Sequence, residues 1–239
     1  MYNQTMLLQD KVVLITGGGS GMGKALAESF LAAGSQVVVT YNTHQNKNAN
    51  IHGIKVDLTQ QAEIDNLFKE IKTKYGHIDI LINNAGINPR GELLDLDLWR
   101  QIFEVDIFAL VSIMKNSIKL MAEKGKIINI SSIYSDGKTA WKEMPAFSAA
   151  KAALNNLTQT MAKNLAPNIL VNAIAPGYVQ TPLWGNKTDE ELAVTGKDQL
   201  IERMIQPEEV ASMALELARN DAITGEIIII DGGLSLKTV

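Results

Sequence analysis

The chain has 239 residues, 46% of them apolar, and a net charge of −4. This length and composition suffice for a sizeable core, and they predict one α/β domain over residues 1–239. With 26 acidic against 22 basic residues and no long run of either sign, the charge argues against a nucleic-acid or membrane-surface partner, so we expect a small-molecule ligand.

Residue types narrow the chemistry further. The chain has no cysteine, which excludes disulfides, thiolate metal sites and cysteine nucleophiles, and its three histidines lack metal-ligand spacing. We therefore expect no metal. No apolar segment reaches the length of a membrane span, and residues 1–10 lack the pattern of a signal peptide, so the expected location is cytoplasmic.

Short apolar runs alternate with helix-like stretches along the chain. The runs are rich in β-branched residues, as in strands that are buried on both faces of a parallel sheet. Predicted strands cover residues 12–15, 37–39, 51–56, 78–82, 127–130, 169–174 and 227–230. Predicted helices cover residues 22–33, 60–75, 97–124, 145–166 and 207–219. This alternation predicts a Rossmann-type, doubly wound parallel sheet of about seven strands flanked by helices.

Two segments interrupt the alternation. The Asn-rich stretch 42–50 is too short and too polar for a good helix, so we predict a loop between the second and third strands. Residues 176–206 form a connection far longer than usual, and we predict that it is irregular, with a substrate loop over residues 183–206. Long loops at this edge of a parallel sheet commonly close over a ligand.

A glycine-rich turn follows the first predicted strand and opens the first predicted helix. Its sequence is Thr-Gly-Gly-Gly-Ser-Gly-Met-Gly, at residues 16–23. Glycine permits a sharp turn and lets the backbone approach a pyrophosphate, which is bound by the free amides of a helix N-terminus. Because the turn lies between a buried strand and a helix, it predicts a dinucleotide site.

The motifs along nearly the whole chain resemble those of the short-chain dehydrogenase/reductase family. The spacing of residues 16–23 matches, and Asn-Asn-Ala-Gly at 83–86, Pro-Gly at 176–177 and Asp-Gly-Gly at 231–233 each follow a predicted strand. The resemblance implies hydride transfer between a carbonyl and an alcohol with NAD(P)(H), in a homo-oligomer that is a tetramer or a dimer.

The same resemblance implies which residues hold the cofactor. Those after the third strand would contact the adenine, those after the fourth would shape the cleft, and those after the sixth would hold the nicotinamide carboxamide and the pyrophosphate. The expected set is Gly17, Gly19, Ser20, Gly21, Met22, Gly23, Tyr41, Asn42, Asp57, Leu58, Asn83, Ala85, Gly86, Lys151, Pro176, Gly177, Val179 and Thr181. Asp57 could alternatively serve only as a helix-start residue.

The end of the second strand bears on the choice of cofactor. An acidic side chain there would bond the ribose 2′-hydroxyl and repel a 2′-phosphate. The chain has no carboxylate at this place, and Thr43, His44 or Lys47 could contact a 2′-phosphate, although Lys47 could also be a solvated loop charge. We expect NADP(H) in preference to NAD(H), even though Ser20 stands where NADPH-preferring relatives often have an arginine.

Two of the four reaction-centre positions depart from the family pattern. In the family, a tyrosine is the acid/base, a lysine tunes it and binds ribose, a serine polarises the substrate oxygen, and an asparagine holds a proton-relaying water. Ser132 and Lys151 are kept, but Phe147 stands at the tyrosine position and Asp106 at the asparagine position. A phenyl ring has no exchangeable proton. Because a positioned general acid contributes about 10²–10⁴-fold in rate, we expect reduced or altered catalysis.

Other groups could replace the missing phenol. Asp106 could hold a water or pair with Lys151, because a carboxylate and an ammonium stabilise each other's charged form. Lys151 could donate a proton, although ribose binding is its favoured role, and Ser132 or ordered water could protonate an alkoxide. Tyr134 and Tyr178 are the nearby phenols. We expect Tyr134 to point elsewhere and Tyr178 to line the pocket.

Three interpretations of Phe147 stay open at this point. It is an engineered removal of one oxygen, a natural change in an enzyme with altered or non-redox chemistry, or part of a non-catalytic module that binds the cofactor. The second departure, at Asp106, weighs against engineering, and the intact glycine turn weighs against loss of binding. An oxidoreductase with reduced or altered catalysis ranks first, and the non-catalytic module second.

The expected substrate pocket is mostly apolar. Its residues are Trp141, Met144, Tyr178, Leu183 and Trp184, with Asn88 and Arg90 at the mouth. These side chains favour a carbonyl or alcohol with an apolar or aromatic body. Arg90 could bind a substrate carboxylate or could simply be solvated. The helices at 97–124 and 145–166 carry apolar residues on more than one face, so we expect them to form the oligomer interface.

Overall fold

The computed structural model describes residues 7–237, and within them seven parallel strands form one sheet in the order β3-β2-β1-β4-β5-β6-β7. The strands are β1 Val12–Ile15, β2 Gln36–Tyr41, β3 His52–Lys55, β4 Ile78–Asn83, β5 Met121–Ile130, β6 Ile169–Pro176 and β7 Ile227–Ile230. Strand order reverses between β1 and β4, as in a doubly wound sheet, which confirms the predicted fold class.

Helices cover both faces of this sheet. They are α1 Gly21–Ala32, α2 Gln61–Tyr75, α3 Leu96–Phe103, α4 Leu110–Ile118, α5 Pro145–Leu165, α6 Asp189–Gly196 and α7 Pro207–Arg219. Side chains alternate between the faces of a strand, so Val13 and Ile15 of β1 join the core under α1 and α7, whereas Leu14 joins the core under α2, α4 and α5. Because the strands are parallel, their carboxyl ends lie together at one open edge of the sheet.

The single helix that we predicted over residues 97–124 is wrong. The structure has α3, then one π-helical turn at Glu104–Ala109, then α4, which ends at Ile118. Met121 already pairs with Ile78 of β4, so β5 begins where the prediction placed helix. Pairing with the sheet thus outweighs helical periodicity here.

We predicted that every strand is buried on both faces, and this prediction is wrong for the two strands at the edges of the sheet. β3 and β7 lie at the edges of the sheet and are only partly buried, and Ile229 of β7 is 58% exposed. An edge strand has one neighbour, so its side chains lack cover on the open side.

The predictions for the two connections that interrupt the alternation of strands and helices have different outcomes. The predicted loop between β2 and β3 is confirmed, and it lies against the glycine turn, where Asn46 Nδ2 donates to the Gly18 carbonyl at 3.0 Å. Residues 176–206 are less irregular than expected, because they contain a 3₁₀ turn at Pro182–Trp184 and helix α6. α6 begins with a capping box between Thr188 and Glu191, a spacing that was available in the sequence.

Candidate active site

An open cleft of about 780 Å³ lies at the carboxyl ends of β1 to β4. Most of the predicted cofactor residues line it: Gly17, Gly19, Ser20, Gly21, Met22, Gly23, Tyr41, Asn42, Asp57, Leu58, Ala85, Gly86 and Thr181. This is the crevice where doubly wound sheets bind their ligands, outside the strand ends at the point where strand order reverses.

The glycine turn fits a pyrophosphate. A Cβ on Gly23 would lie 2.1 Å from the Gly17 carbonyl oxygen, so only glycine lets α1 pack this closely on the turn. Ser20, the N-cap residue of α1, makes no side-chain cap bond within the described residues, and the first turn of α1 contains no acidic side chain. The amides at this helix N-terminus therefore suit an anion.

A polar clamp that sequence reasoning missed holds the turn in place. Thr16 Oγ1 accepts hydrogen bonds from the amides of Asn84 and Ala85 at 3.0 and 3.1 Å. Asn84 Nδ2 donates in return to the carbonyl oxygens of Thr16 and Gly17, at 2.9 and 3.1 Å. The clamp ties the end of β4 to the end of β1. Asn84 belongs to the Asn-Asn-Ala-Gly motif at residues 83–86, so the sequence did contain a signal for the clamp. Only Asn83, Ala85 and Gly86 of that motif were predicted to form the cleft.

Asp57 stands in the cleft and also shapes the chain beneath it. Its Oδ1 accepts hydrogen bonds from the backbone amide and the hydroxyl of Thr59, at 3.0 and 2.7 Å. These bonds, the backbone one first, hold the pKa of Asp57 below its usual value. The two roles considered for this residue, ligand contact and local capping, are compatible.

Several predicted cofactor residues lie outside the cleft. Asn83 is buried beneath it and donates from Nδ2 to Asn129 Oδ1 at 2.8 Å, so it supports the cleft rather than lining it. Pro176, Gly177 and Val179 line a second cavity instead.

This second cavity, of about 210 Å³, lies at the ends of β5 and β6. It brings together Ser132, Phe147 and the residues predicted for the substrate pocket, namely Trp141, Met144, Tyr178, Leu183, Trp184, Asn88 and Arg90. Met22, Thr181 and Leu183 line both cavities, so the two spaces adjoin. A ligand in one would face a ligand in the other.

Aromatic rings form the walls of the second cavity. The ring of Tyr178 lies edge-on to Trp184 at 5.4 Å and tilted against Trp141 at 6.5 Å between centroids. The Arg90 guanidinium stacks 5.3 Å from the centre of the Trp141 ring and pairs with Glu143 at 2.9 Å. Trp184 is fixed by a hydrogen bond from Nε1 to the Val179 carbonyl at 2.7 Å. Such walls suit an apolar or aromatic body.

Lys151 and Asp106 form a buried ion pair behind the cleft. Lys151 Nζ lies 3.0 Å from Asp106 Oδ2 and donates to the Ile130 carbonyl at 3.2 Å. Asp106 Oδ1 accepts from the Ile87 amide at 2.9 Å, and the two side chains are 7% and 0% exposed. The pairing considered from the sequence is therefore present, and the π-helical turn carries Asp106 to it.

Phe147 stands next to this pair, one helical turn before Lys151. The Lys151 Nζ atom lies 5.4 Å from the centre of the Phe147 ring. Ser132, in the same cavity as Phe147, accepts a hydrogen bond at Oγ from the Tyr134 amide at 3.2 Å, which leaves its own proton available to a ligand.

We expected Tyr134 to point away from the reaction centre, and this prediction is wrong. Tyr134 lines the second cavity, where its ring lies 5.4 Å from Trp141 and 6.5 Å from Tyr178. Its hydroxyl is buried and meets no partner in good hydrogen-bond geometry among the described residues. Burial first, and then the nearby Tyr178 hydroxyl, raise the pKa of Tyr134 above the ordinary value of a tyrosine.

Comparison with known proteins identifies the family. The family model described as enoyl-(acyl carrier protein) reductase matches residues 17–235. A 3-oxoacyl-[acyl-carrier-protein] reductase of Aquifex aeolicus is 36% identical, over 95% of this chain and 98% of that protein. The chain belongs to the short-chain dehydrogenase/reductase family. The resemblance in the motifs is thereby confirmed, and with it the class of enzyme, an oxidoreductase that uses a nicotinamide cofactor.

Solved structures agree with this membership. The ligand-free aldohexose dehydrogenase of Thermoplasma acidophilum superimposes with a TM-score of 0.91 at 31% identity, covering 97% of this chain and 96% of that one. A short-chain dehydrogenase/reductase of Serratia marcescens superimposes with a TM-score of 0.86 at 27% identity, covering 96% and 99%. Among residues 7–237, no helix is long and apolar enough to cross a membrane.

Proposed function

We propose that this protein reduces a carbonyl or oxidises an alcohol by hydride transfer, at a rate limited by the missing phenol at Phe147. The observation that carries the proposal is the junction of two cavities, where Met22 and Thr181 line both the dinucleotide cleft and the space that holds Ser132. A nicotinamide at this junction would face a substrate beside the serine.

Different residues of the chain have different roles in this reaction. A bound reduced nicotinamide supplies the hydride. Ser132 can donate its hydroxyl proton as a hydrogen bond to the substrate oxygen and so stabilise the charge that develops there. The aromatic walls exclude water from the substrate side. Lys151 lines neither cavity and is held by Asp106 behind the cleft, so its donation to ribose hydroxyls is proposed from the family pattern.

NADP(H) is the favoured cofactor. A cavity of about 1110 Å³ adjoins the glycine turn and shares Gly19, Ser20, Thr43 and His44 with the dinucleotide cleft. Its lining includes Lys24, Lys47 and Lys74, together with His44 and His52, and no carboxylate among the described lining residues. A 2′-phosphate beside Thr43 would meet a favourable field there.

We therefore expect NADPH to raise the melting temperature more than NADH at equal concentration. A ligand that binds only the native state stabilises it by about 2.7 kcal/mol at a concentration of 100 times its dissociation constant. A thermal scan with each cofactor measures this. The doubly changed Lys24→Ala, Lys47→Ala protein is the control, and it should lose the preference while keeping the shift by NADH. No shift with either cofactor would contradict the proposal.

A non-catalytic, cofactor-binding module is the second candidate. The observation in its favour is the Asp106 carboxylate, which neutralises the Lys151 ammonium and so weakens the field available to any acid nearby. Cofactor binding without turnover of any carbonyl compound would support this candidate.

The substrate class follows from the walls of the second cavity rather than from the relatives. Their names give a 3-oxoacyl thioester in one case and an aldohexose in another. We propose a compact carbonyl or alcohol with an apolar or aromatic body, covered by residues 183–206. Arg90 is engaged by Glu143 and by the Trp141 ring, which argues against a role as a free carboxylate receptor.

Assembly into a tetramer or a dimer is expected from the family. Most apolar residues of the predicted interface helices serve the core of the chain itself, since Ile102, Ile113 and Leu154 are buried. Phe108 and Val111 remain exposed, at 60% and 41%. A single domain over 1–239 and a cytoplasmic location stay predictions.

Light scattering at micromolar concentration should return a multiple of the 26.1 kDa chain mass. Phe108→Asp should lower that mass, because a charge at the centre of an apolar interface leaves a buried ion without a partner. The matched control is Leu236→Asp, at a residue 75% exposed elsewhere on the surface. A mass of one chain for the unchanged protein would contradict the assembly.

A further inference from the structure

We propose that Tyr134 donates the proton that Phe147 cannot supply, and that it delivers this proton to a substrate oxygen held by Ser132. The inference rests on the proposed oxidoreductase function and names a catalytic residue at a position for which the family pattern assigns no acid. It starts from the Tyr134 hydroxyl, which is buried beside the substrate cavity, close to the Tyr178 hydroxyl, and meets no partner in good hydrogen-bond geometry among the described residues.

Local structure fixes Tyr134 relative to Ser132. Ser132 is the N-cap of the 3₁₀ turn Ile133–Ser135, and its Oγ accepts from the Tyr134 amide at 3.2 Å. Asn155 ties the same turn to α5, since its Nδ2 donates to Ser135 Oγ at 2.8 Å and its Oδ1 accepts from Ser131 Oγ at 2.6 Å. Asn155 lies one helical turn beyond Lys151. Tyr134, Ser132 and the residues of α5 thus form one rigid unit.

The ring of Tyr134 is held inside the cavity by its neighbours. Trp141 meets it edge-to-face at 5.4 Å and Tyr178 packs against it at 6.5 Å. The hydroxyl at its tip is buried beside the same space that Ser132 and Phe147 line. Buried polar groups in native proteins nearly always have a partner, so an unpaired one in a ligand cavity points to the ligand.

The chemistry balances for reduction. Hydride from the reduced nicotinamide forms the new C–H bond, and the π electrons of the carbonyl move to its oxygen. The Tyr134 O–H bond breaks, its proton completes the alcohol, and the phenolate takes a proton back from solvent through the neighbouring Tyr178 hydroxyl. The cofactor is oxidised and the carbonyl compound is reduced.

Burial determines the protonation state of Tyr134. Because burial raises its pKa above the ordinary tyrosine value, the hydroxyl stays protonated at neutral pH and can act as a donor, although a weaker one than a phenol beside an ammonium.

The test compares Tyr134→Phe with Tyr75→Phe, which removes the same oxygen from a ring at the end of α2, where the hydroxyl contacts His52 Nδ1 at 3.1 Å, away from the substrate cavity. The probes are cyclohexanone, acetophenone, a 3-oxoacyl thioester and an aldohexose, each with NADPH. We expect Tyr134→Phe to lower kcat by about 10²-fold with little change in KM or in the thermal shift by NADPH. Tyr75→Phe should leave kcat unchanged. The solvent deuterium isotope effect on kcat should change in Tyr134→Phe, which a merely structural role would not produce.

Three outcomes would overturn the inference. Equal kcat for Tyr134→Phe and the unchanged protein would show that the proton comes from another group. A thermal shift by NADPH without turnover of any probe would show that Tyr134 does not restore catalysis, while leaving cofactor binding intact. Absence of a thermal shift would overturn the proposed function itself, and the inference with it.

Discussion

Phe147→Tyr should raise the rate of carbonyl reduction by about 10²-fold, at the low end of the usual contribution of a general acid. The new hydroxyl would stand at the tip of a ring whose centre lies 5.4 Å from Lys151 Nζ, in the cavity that also holds Ser132. The ammonium would lower the pKa of the new phenol and make it a better acid. Asp106 neutralises part of that field, which keeps the gain at the low end.

Steady-state assays of both proteins, side by side on the same carbonyl compounds with NADPH, measure this gain. Phe147→Leu is the control, because it alters the ring without adding a proton donor and should not gain activity. Cofactor affinity should change little in either variant. Equal rates for Phe147→Tyr and the unchanged protein would show that a hydroxyl at residue 147 does not reach the reacting oxygen.

The double variant Phe147→Tyr, Tyr134→Phe tests whether a hydroxyl at residue 147 takes over the role that we infer for Tyr134. If Tyr134 is the donor in the unchanged protein, its hydroxyl becomes dispensable once residue 147 supplies a better one. The loss of rate on Tyr134→Phe should then be much smaller in the Phe147→Tyr background, a coupling that a double-mutant cycle reports directly. Equal losses in both backgrounds would assign Tyr134 a structural role.

Lys151→Met should lower the free energy of unfolding by about 3–5 kcal/mol. The change leaves Asp106 buried with its charge uncompensated and only the Ile87 amide as a partner. Adding Asp106→Asn should recover much of the loss, because the amide oxygen of asparagine can still accept from Ile87 while the buried charge is gone.

Urea unfolding of the two single variants and the double variant measures the coupling between the two residues. Lys11→Met is a suitable control, since its partner Asp79 keeps other donors: the Val12 amide at 2.8 Å and His77 at 3.0 Å. Its loss should be smaller. If the loss of stability in the double variant equals the sum of the losses in the two single variants, the pair contributes nothing as a pair.

The strands and the glycine turn were predictable because local pattern and tertiary context agree there. β1 and β7 begin and end where the apolar runs do. The failures occur where packing overrides local pattern. The apolar periodicity of residues 97–124 contains no sign that a π turn rotates Asp106 inward, or that Met121 leaves the helix to pair with Ile78.

In the candidate site too, some features were predictable from the local sequence and others depend on packing. Motif spacing predicted many of the residues that line the cleft at the ends of β1 to β4, since glycines and a helix N-terminus act through the backbone. It did not predict side-chain direction. Asn83 points beneath the cleft and Tyr134 into the substrate cavity, and each orientation depends on neighbours that are distant in sequence, Asn129 for one and Trp141 with Tyr178 for the other.

The loop between β2 and β3 restricts how cofactor preference can be engineered in this protein. It lies so close to the glycine turn that a Cβ on Gly19 would meet the His44 carbonyl oxygen at 1.6 Å. On the other side, a Cβ on Gly18 would meet the Val39 side chain of β2 at 2.4 Å. A basic side chain at residue 19 would displace the backbone of the loop, and one at residue 18 would displace the Val39 side chain of β2, so neither position offers open space. Redesign for a different nucleotide must therefore exchange the loop as a unit, together with the Asn46 bond to Gly18 that holds it against the turn.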